Sequence, residues 1–206
     1  MSYTPQLAAA LTGATHGQLS YWRRGPSPVL RPEVRSTRPM LYSFRDLVAL
    51  RTCVFLRERV SLQRIRKALD SLDQLGEEGH LSEHTLVADG GSIILVRSPD
   101  EAIDLVRQPG QSVMAVMSDV LGEFTSGELS VPNMYHPREL ITIDPDIRGG
   151  RPVVRGTRVP FESVAALVRD GVKPRDIAKY YPSVTAPAAR QAKDFLDYVD
   201  SITSAA

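Results

Sequence analysis

Four arginines, Arg148, Arg151, Arg155 and Arg158, recur every three or four residues in a stretch punctuated by Gly149, Gly150 and Gly156 and bounded by Pro145 and Pro160. A guanidinium is a planar fork that stays charged and grips a carboxylate or a phosphate through two parallel hydrogen bonds. Such a row suits an anionic group on a partner, and it suits pairing with the nearby Asp144 and Asp146 as well. It is no Walker-type phosphate loop, because the Gly-Lys-Ser/Thr ending is missing. A second set lies near the N-terminus. Thr15 precedes His16, Gln18, Ser20, Tyr21, Arg23 and Arg24, side chains that pair with base edges or phosphates, and no carboxylate stands among them to repel a polyanion. A third pattern, His80-Leu81-Ser82-Glu83-His84, has the H-x-x-E-H spacing of a zinc helix, yet Gly76 and Gly79 precede it and a β-prone run starts at Thr85. It is expected to be a turn, with no metal. The single Cys53 falls in an apolar helical pattern and is expected to be a buried thiol.

Charge is segregated along the chain. Residues 1–67 hold twelve Arg or Lys against three Asp or Glu, residues 68–146 three against fifteen, and residues 147–206 ten against six. A formal net charge of +1 therefore hides a strongly basic head, an electrostatic footprint suited to nucleic acid rather than to a neutral metabolite. The longest apolar runs, Ile93–Val96 and Val113–Met117, fall far short of the roughly 20 residues of a membrane helix. The expectation is a cytoplasmic chain with no membrane span and no cofactor.

These side chains need elements to hold them. Thr4-Pro5 opens a two-turn helix with Leu7, Ala10 and Leu11 on one face, stopped by Gly13. Thr15 caps a second helix running to Arg24, with Leu19 and Trp22 turned inward. Two short helices joined by a tight turn predict a helix-turn-helix whose second helix enters the major groove. Gly25 to Leu41 is Pro- and Arg-rich and predicts a loop or short hairpin, a wing carrying Arg31, Arg35 and Arg38 around Ser36-Thr37. Ser43 with Asp46 resembles a capping box leading into Leu47, Leu50 and Val54, and Ser61 caps a helix with Leu62, Ile65, Leu69 and Leu72.

In the acidic middle, Thr85–Ala88 and Ser92–Val96 predict a hairpin about Asp89-Gly90-Gly91. Ser98-Pro99-Asp100-Glu101 is expected to open a helix bearing Ile103, Leu105 and Val106. Towards the C-terminus, Ile141–Asp144 predicts a short strand and the four arginines an extended ribbon. Helices follow over 162–169 and 174–180, with a last one from Thr185 to about Val199 buried through Ala189, Ala192, Phe195, Leu196 and Val199. Asp194, Asp197 and Asp200 make that last helix unfit to read DNA. The expected class is mainly α with small β elements: a winged helix-turn-helix over 1–75, an acidic α/β connector and candidate dimerisation element over 76–138, and a helix-turn-helix-like three-helix unit over 139–206.

Residues 3 to about 75 resemble the MerR-type winged helix-turn-helix through the Leu11-Thr12-Gly13 turn, Leu19-Ser20-Tyr21-Trp22-Arg23-Arg24, the Pro- and Arg-rich wing, Leu41–Leu47 and Val60–Arg66. Residues 139–200 resemble the antitoxin-associated family known as domain of unknown function 433. The residues that carry it are Ile143-Asp144-Pro145, Gly149-Gly150-Arg151-Pro152, Arg155-Gly156-Thr157-Arg158-Val159-Pro160, Gly171–Ile177 and Tyr181-Pro182. Together they resemble the mycobacterial VapB antitoxin type. The resemblance implies a non-enzymatic antitoxin that binds operator DNA as a homodimer and inhibits a cognate PIN-domain, VapC-like ribonuclease toxin. Arg151, Arg155, Thr157 and Arg158 would form the toxin-binding segment, with Arg155 and Arg158 as the plug among the nuclease's carboxylates. The alternative is a one-component transcriptional regulator without a toxin partner, in which the tail only dimerises. A nuclease would need clustered carboxylates or paired histidines in a basic groove, and the basic segments lack both. An RNA reader fits less well, since Tyr21 and Trp22 sit in a helical pattern and not on a stacking sheet.

Overall fold

Thr4 and Pro5 start the first helix as their types dictate. The Thr4 hydroxyl accepts from Leu7 N at 3.3 Å, Pro5 occupies the first turn, and α1 runs Pro5–Thr12. Gly13 closes it at φ 77°, a left-handed position where a Cβ would also lie 2.5 Å from Val131 Cγ2, so both conformation and space call for glycine. The computed structural model describes residues 2–24, 28–77, 81–89, 92–98, 101–106 and 118–204.

The capping box of Thr15 and Gln18 starts α2 (His16–Trp22), which buries Leu19 and Trp22. The helix stops at Trp22, two residues short of expectation, because Trp22 O takes Val29 N (2.8 Å) and Leu30 N (3.4 Å) and hands the chain to the wing. The wing is a minimal hairpin in which Arg35 and Leu41 pair through both backbone bonds, at 3.1 and 3.0 Å. A second bridge, Tyr3 with Tyr42, ties its base to the N-terminus. The α3 helix (Phe44–Arg57) opens on the Ser43–Asp46 capping box and is buried nearly all round, from Asp46 to Val54. In α4 (Leu62–Gln74) Ile65 and Leu72 are buried, with Leu62 and Leu69 partly covered, as its amphipathic pattern predicts.

An antiparallel three-stranded sheet follows, ordered β1 (Thr85–Asp89), β2 (Ser92–Ser98), β3 (Glu101–Asp104). The third strand corrects the expected helix. Ile103 and Leu105, two apart, both turn inward, and Leu86, Leu95 and Ile103 line up across the strands as one buried stripe. The Asp104 carboxylate accepts from Ser92 Oγ and from Val106 N (2.8 Å), holding the strand's end, while Lys67 Nζ and Ser71 Oγ of α4 donate to Val106 O (2.7 Å) and Leu105 O (2.9 Å). The expected turn at Gly90-Gly91, the Pro99-Asp100 helix opening and the Val113–Met117 run lie outside the described residues.

The chain resumes with α5 (Ser118–Leu121), the hairpin of β4 (Phe124–Ser126) and β5 (Leu129–Val131), and a second small antiparallel pair, β6 (Ile141–Thr142) with β7 (Val153–Val154). Then come α6 (Phe161–Arg169), a 3₁₀ run Pro174–Lys179, and α7 (Ala186–Ser204), which continues past Val199. The architecture is mainly helical with small sheets, as expected. Among the described residues no helix is long and apolar enough to cross a membrane.

Head and tail share one core. Ala8, Ala9 and Ala10 of α1 are fully buried because α3 packs on one flank and α7 on the other. Tyr198 of α7 donates towards Ala10 O (3.2 Å) and Ser130 O (3.0 Å), and Tyr3 Oη donates to Gly150 O. Arg51 of α3 lies at the centre, fully buried. It donates to Leu11 O at 2.6 Å and to Val120 O and Gly122 O, with its guanidinium 4.8 Å from the Phe124 ring centroid.

Candidate nucleic-acid interface and the arginine turn

Seven chemically competent side chains lie on or beside α2, and the structure sorts them. Thr15 Oγ1 accepts from Gln18 N (3.1 Å) while Thr15 N donates to Gln18 Oε1 (2.8 Å). The capping box thus engages the Gln18 carbonyl and leaves its NH₂ group to donate to a base. Tyr21 is 54% exposed, Arg24 is exposed, and His16, Ser20 and Arg23 are half-buried. Burial raises the Tyr42 phenol, with the Arg23 charge opposing that rise and Asp46 adding to it. Tyr21 on the helix and Arg24 just beyond it are therefore the most available groups.

Arg66 of α4 was not singled out from the sequence. Its guanidinium sits 5.2 Å from the Tyr21 ring centroid, with Nη1 3.4 Å from Tyr21 Oη. It holds the exposed ring in place and adds a cation beside the reading helix. The signal was there in the basic run Arg64-Ile65-Arg66-Lys67, but only the fold sets that run next to α2.

Arg31, Arg35 and Arg38 are all exposed on the wing. What fixes the wing is an acidic clamp at its root. Asp46, 0% exposed, accepts on Oδ2 from Ser43 N (2.7 Å) and from Glu33 N (3.0 Å), so one carboxylate caps α3 and pins the wing strand. Ser43 Oγ donates to Glu33 Oε2 (2.7 Å), and Arg45 pairs with Glu33 (3.8 Å) and with Glu83. The acids near this surface are thereby neutralised locally, while Arg24, Arg31, Arg35 and Arg38 face outward.

The four C-terminal arginines do not share an extended ribbon. Val154 N donates to Val159 O (2.9 Å), Thr157 N and Thr157 Oγ1 donate to Val154 O (3.0 and 2.8 Å), and Val159 N donates to Thr157 Oγ1 (3.0 Å). These bonds fold 154–159 into a tight turn. Thr157 spends its hydroxyl inside that turn and shapes it. Arg155 and Arg158 project from it exposed, and no carboxylate partner exists for either among the described residues. Arg151 Nε lies 3.4 Å from Glu162 Oε2, and Arg148 sits in a 3₁₀ turn at positive φ, so neither pairs as the local Asp144 and Asp146 alternative suggested. A cavity of about 690 Å³ opens beside Arg151, between the start of α1 and α7, and Tyr3, Leu7, Leu41 and Phe161 line it.

The H-x-x-E-H pattern is not a helix. Leu81–Glu83 form one 3₁₀ turn, Glu83 is engaged by Arg45, and His84 Nδ1 lies 4.0 Å from Glu77. His80 lies outside the described residues. Among the described residues no cluster of His, Cys, Asp or Glu could hold a metal ion. Cys53 is buried, and burial pushes its thiol up to about 12.

Residues 3–72 match the model of the MerR HTH family regulatory proteins, and residues 141–196 match a protein family of unknown function, DUF433. An uncharacterized HTH-type transcriptional regulator of Mycobacterium tuberculosis, Rv1830, is 34% identical over 129 residues, 61% of this chain and 56% of the relative. The chain thus spans about half the length of the curated relatives it matches. An uncharacterized Sinorhizobium fredii protein, y4eO, is 45% identical over 60 residues, covering 29% of this chain and 27% of its own. The crystal structure of Rv2018 from M. tuberculosis has a similar fold, at TM-score 0.52 and 18% identity over 92% of this chain and 96% of that one.

Proposed function

We propose that the chain, which carries a MerR-type helix-turn-helix region followed by a DUF433 region, is a non-enzymatic transcription regulator that grips operator DNA with α2 and its wing. One observation carries this reading: an exposed recognition face free of carboxylates stands beside a clamped wing with three outward arginines. The naming of relatives as HTH-type transcriptional regulators supports it. Phosphates hold the duplex, so binding of a duplex selected from a random pool should weaken steeply between 50 and 200 mM salt, by ~10³-fold or more if six phosphates are neutralised. A dimer would place half-sites about 34 to 36 Å apart. A salt-independent or absent interaction sinks the reading.

The finer reading is an antitoxin. Arg155 and Arg158, with no carboxylate partner among the described residues and presented on a hydrogen-bonded turn, suit insertion among the metal-binding carboxylates of a PIN-domain ribonuclease, and the resemblance of the tail supports that partner. Co-expression with the adjacent reading frame tests it. Growth rescue and a co-purifying complex that depend on these two arginines are expected. If neither appears, the chain acts as a one-component regulator whose tail serves dimerisation.

A further inference from the structure

We propose that Gly150 and Tyr3 are positioning residues for DNA binding: the tail's glycine turn braces the root of the wing, so the last third of the chain is a working part of the DNA reader. The proposal rests on the regulator reading above. Gly150 stands in the left-handed region at φ 84°, and a Cβ there would lie 2.7 Å from Tyr3 Oη and 3.2 Å from Phe44 Cδ2. Its carbonyl takes the Tyr3 hydroxyl in a buried bond spanning 147 residues. Both residues it touches are wing supports. Tyr3 exchanges two backbone bonds with Tyr42 (2.8 and 3.0 Å), next to Leu41, which closes the wing on Arg35. Phe44 is the first residue of α3, between the Ser43 cap and the Asp46 clamp that holds Glu33.

A continuous set of packed groups therefore runs from the turn that precedes Arg151 to the wing arginines. Arg151, Tyr3 and Leu41 line the same cavity, so tail and wing root border one space as well as sharing a bond. Packed groups of this kind have little room for gradual deformation, and displacing Gly150 displaces Tyr3 and Phe44 with it. The tail glycines, which immediately precede the segment that faces a partner in the antitoxin reading, here serve the chain's own head.

The test uses the full chain and a duplex that the wild type selects from a random pool, with affinity measured across a salt series. Gly150→Ala, folded by circular dichroism, should bind about fivefold more weakly, with a salt slope shallower by about 1, as a wing phosphate contact is lost. Tyr3→Phe removes the atom the new methyl meets, so adding it to Gly150→Ala should recover part of the affinity. In an Arg35→Ala, Arg38→Ala background, Gly150→Ala should have no further effect. An unchanged slope, or full additivity with the wing variants, overturns the proposal while leaving the regulator reading intact. If Gly150→Ala fails to fold, Tyr3→Phe alone decides: a shallower slope supports the brace and a wild-type slope overturns it. A wild-type chain that binds no duplex overturns both readings.

Discussion

Replacing Arg51 by Met tests how the two ends of the chain are held together. The guanidinium donates to three carbonyls, Leu11 O at the end of α1 and Val120 O and Gly122 O around the end of α5, and it lies against Phe124. Hydrogen bonds to a charged group contribute about 1.5–3 kcal/mol each, so three are worth about 4–9 kcal/mol gross. Opposing this is the cost of burying the charge. Desolvation, only partly offset by Tyr198, lowers the Arg51 pKa from 12.5 to about 10, which corresponds to about 3 kcal/mol. The difference predicts that Arg51→Met destabilises the fold by about 1–6 kcal/mol, a sizeable share of the roughly 5–15 kcal/mol that holds a domain together. Arg51→Lys keeps the charge but cannot fork to three acceptors, so it should fall between wild type and Met. Urea unfolding followed by circular dichroism at pH 7.5 measures both. A loss below about 1 kcal/mol for Met would refute the reasoning, since it would mean that the carbonyls find other donors at no cost.

Asp46→Ala removes the carboxylate that caps α3 and pins Glu33 N; a loss of about 3 kcal/mol is expected, with faster amide exchange at Glu33 and Ser43 than elsewhere in the head. Alkaline pH should destabilise the protein. Burial raises Cys53 from 9 to about 12 and Tyr198 from 10 to about 12, and Tyr3 and Tyr42 also rise. Acids raised by folding stabilise the native state below their unfolded values and lose that contribution as pH climbs to their folded ones. Stability should therefore start to fall near pH 9, by about 2 kcal/mol by pH 10, and Cys53→Ala should move the onset towards pH 10. Arg51, lowered to about 10, works in the opposite direction only above that pH. Arg155→Ala with Arg158→Ala should leave stability within about 0.5 kcal/mol of wild type while abolishing toxin inhibition; unfolding curves and the co-expression assay separate the two effects.

Local chemistry made much of this molecule legible. Thr4, Thr15, Ser43 and Ser61 all cap the helices their spacing announces, and Leu19 with Trp22, or Ile65 with Leu72, are buried where helical period puts them. Failures came where short range was ambiguous. Ile103, Leu105 and Val106 fit one helical face as well as a strand, and only pairing with β2 decides between them. The arginine segment looked extended because Pro152 and Pro160 forbid a helix, but the Thr157 hydroxyl bonds that curl it into a turn leave no periodic trace. Arg51 looked like one cation in a basic head, although the nearly all-round apolar run Leu47–Val54 was a sign of a helix buried on every side. The partnership of α1 with α7 depends on residues almost 190 apart, beyond any local pattern.

The three alanines of α1 bear on how the chain is made. This helix is synthesised well before α7, yet the bond from Tyr198 to Ala10 joins the two across 188 residues. Contacts of such separation form late and slowly. Until α7 emerges, one flank of α1 has no neighbour, and a chain cut short before Ala186 would keep that apolar flank bare. Such a fragment would be prone to capture by chaperones or proteases.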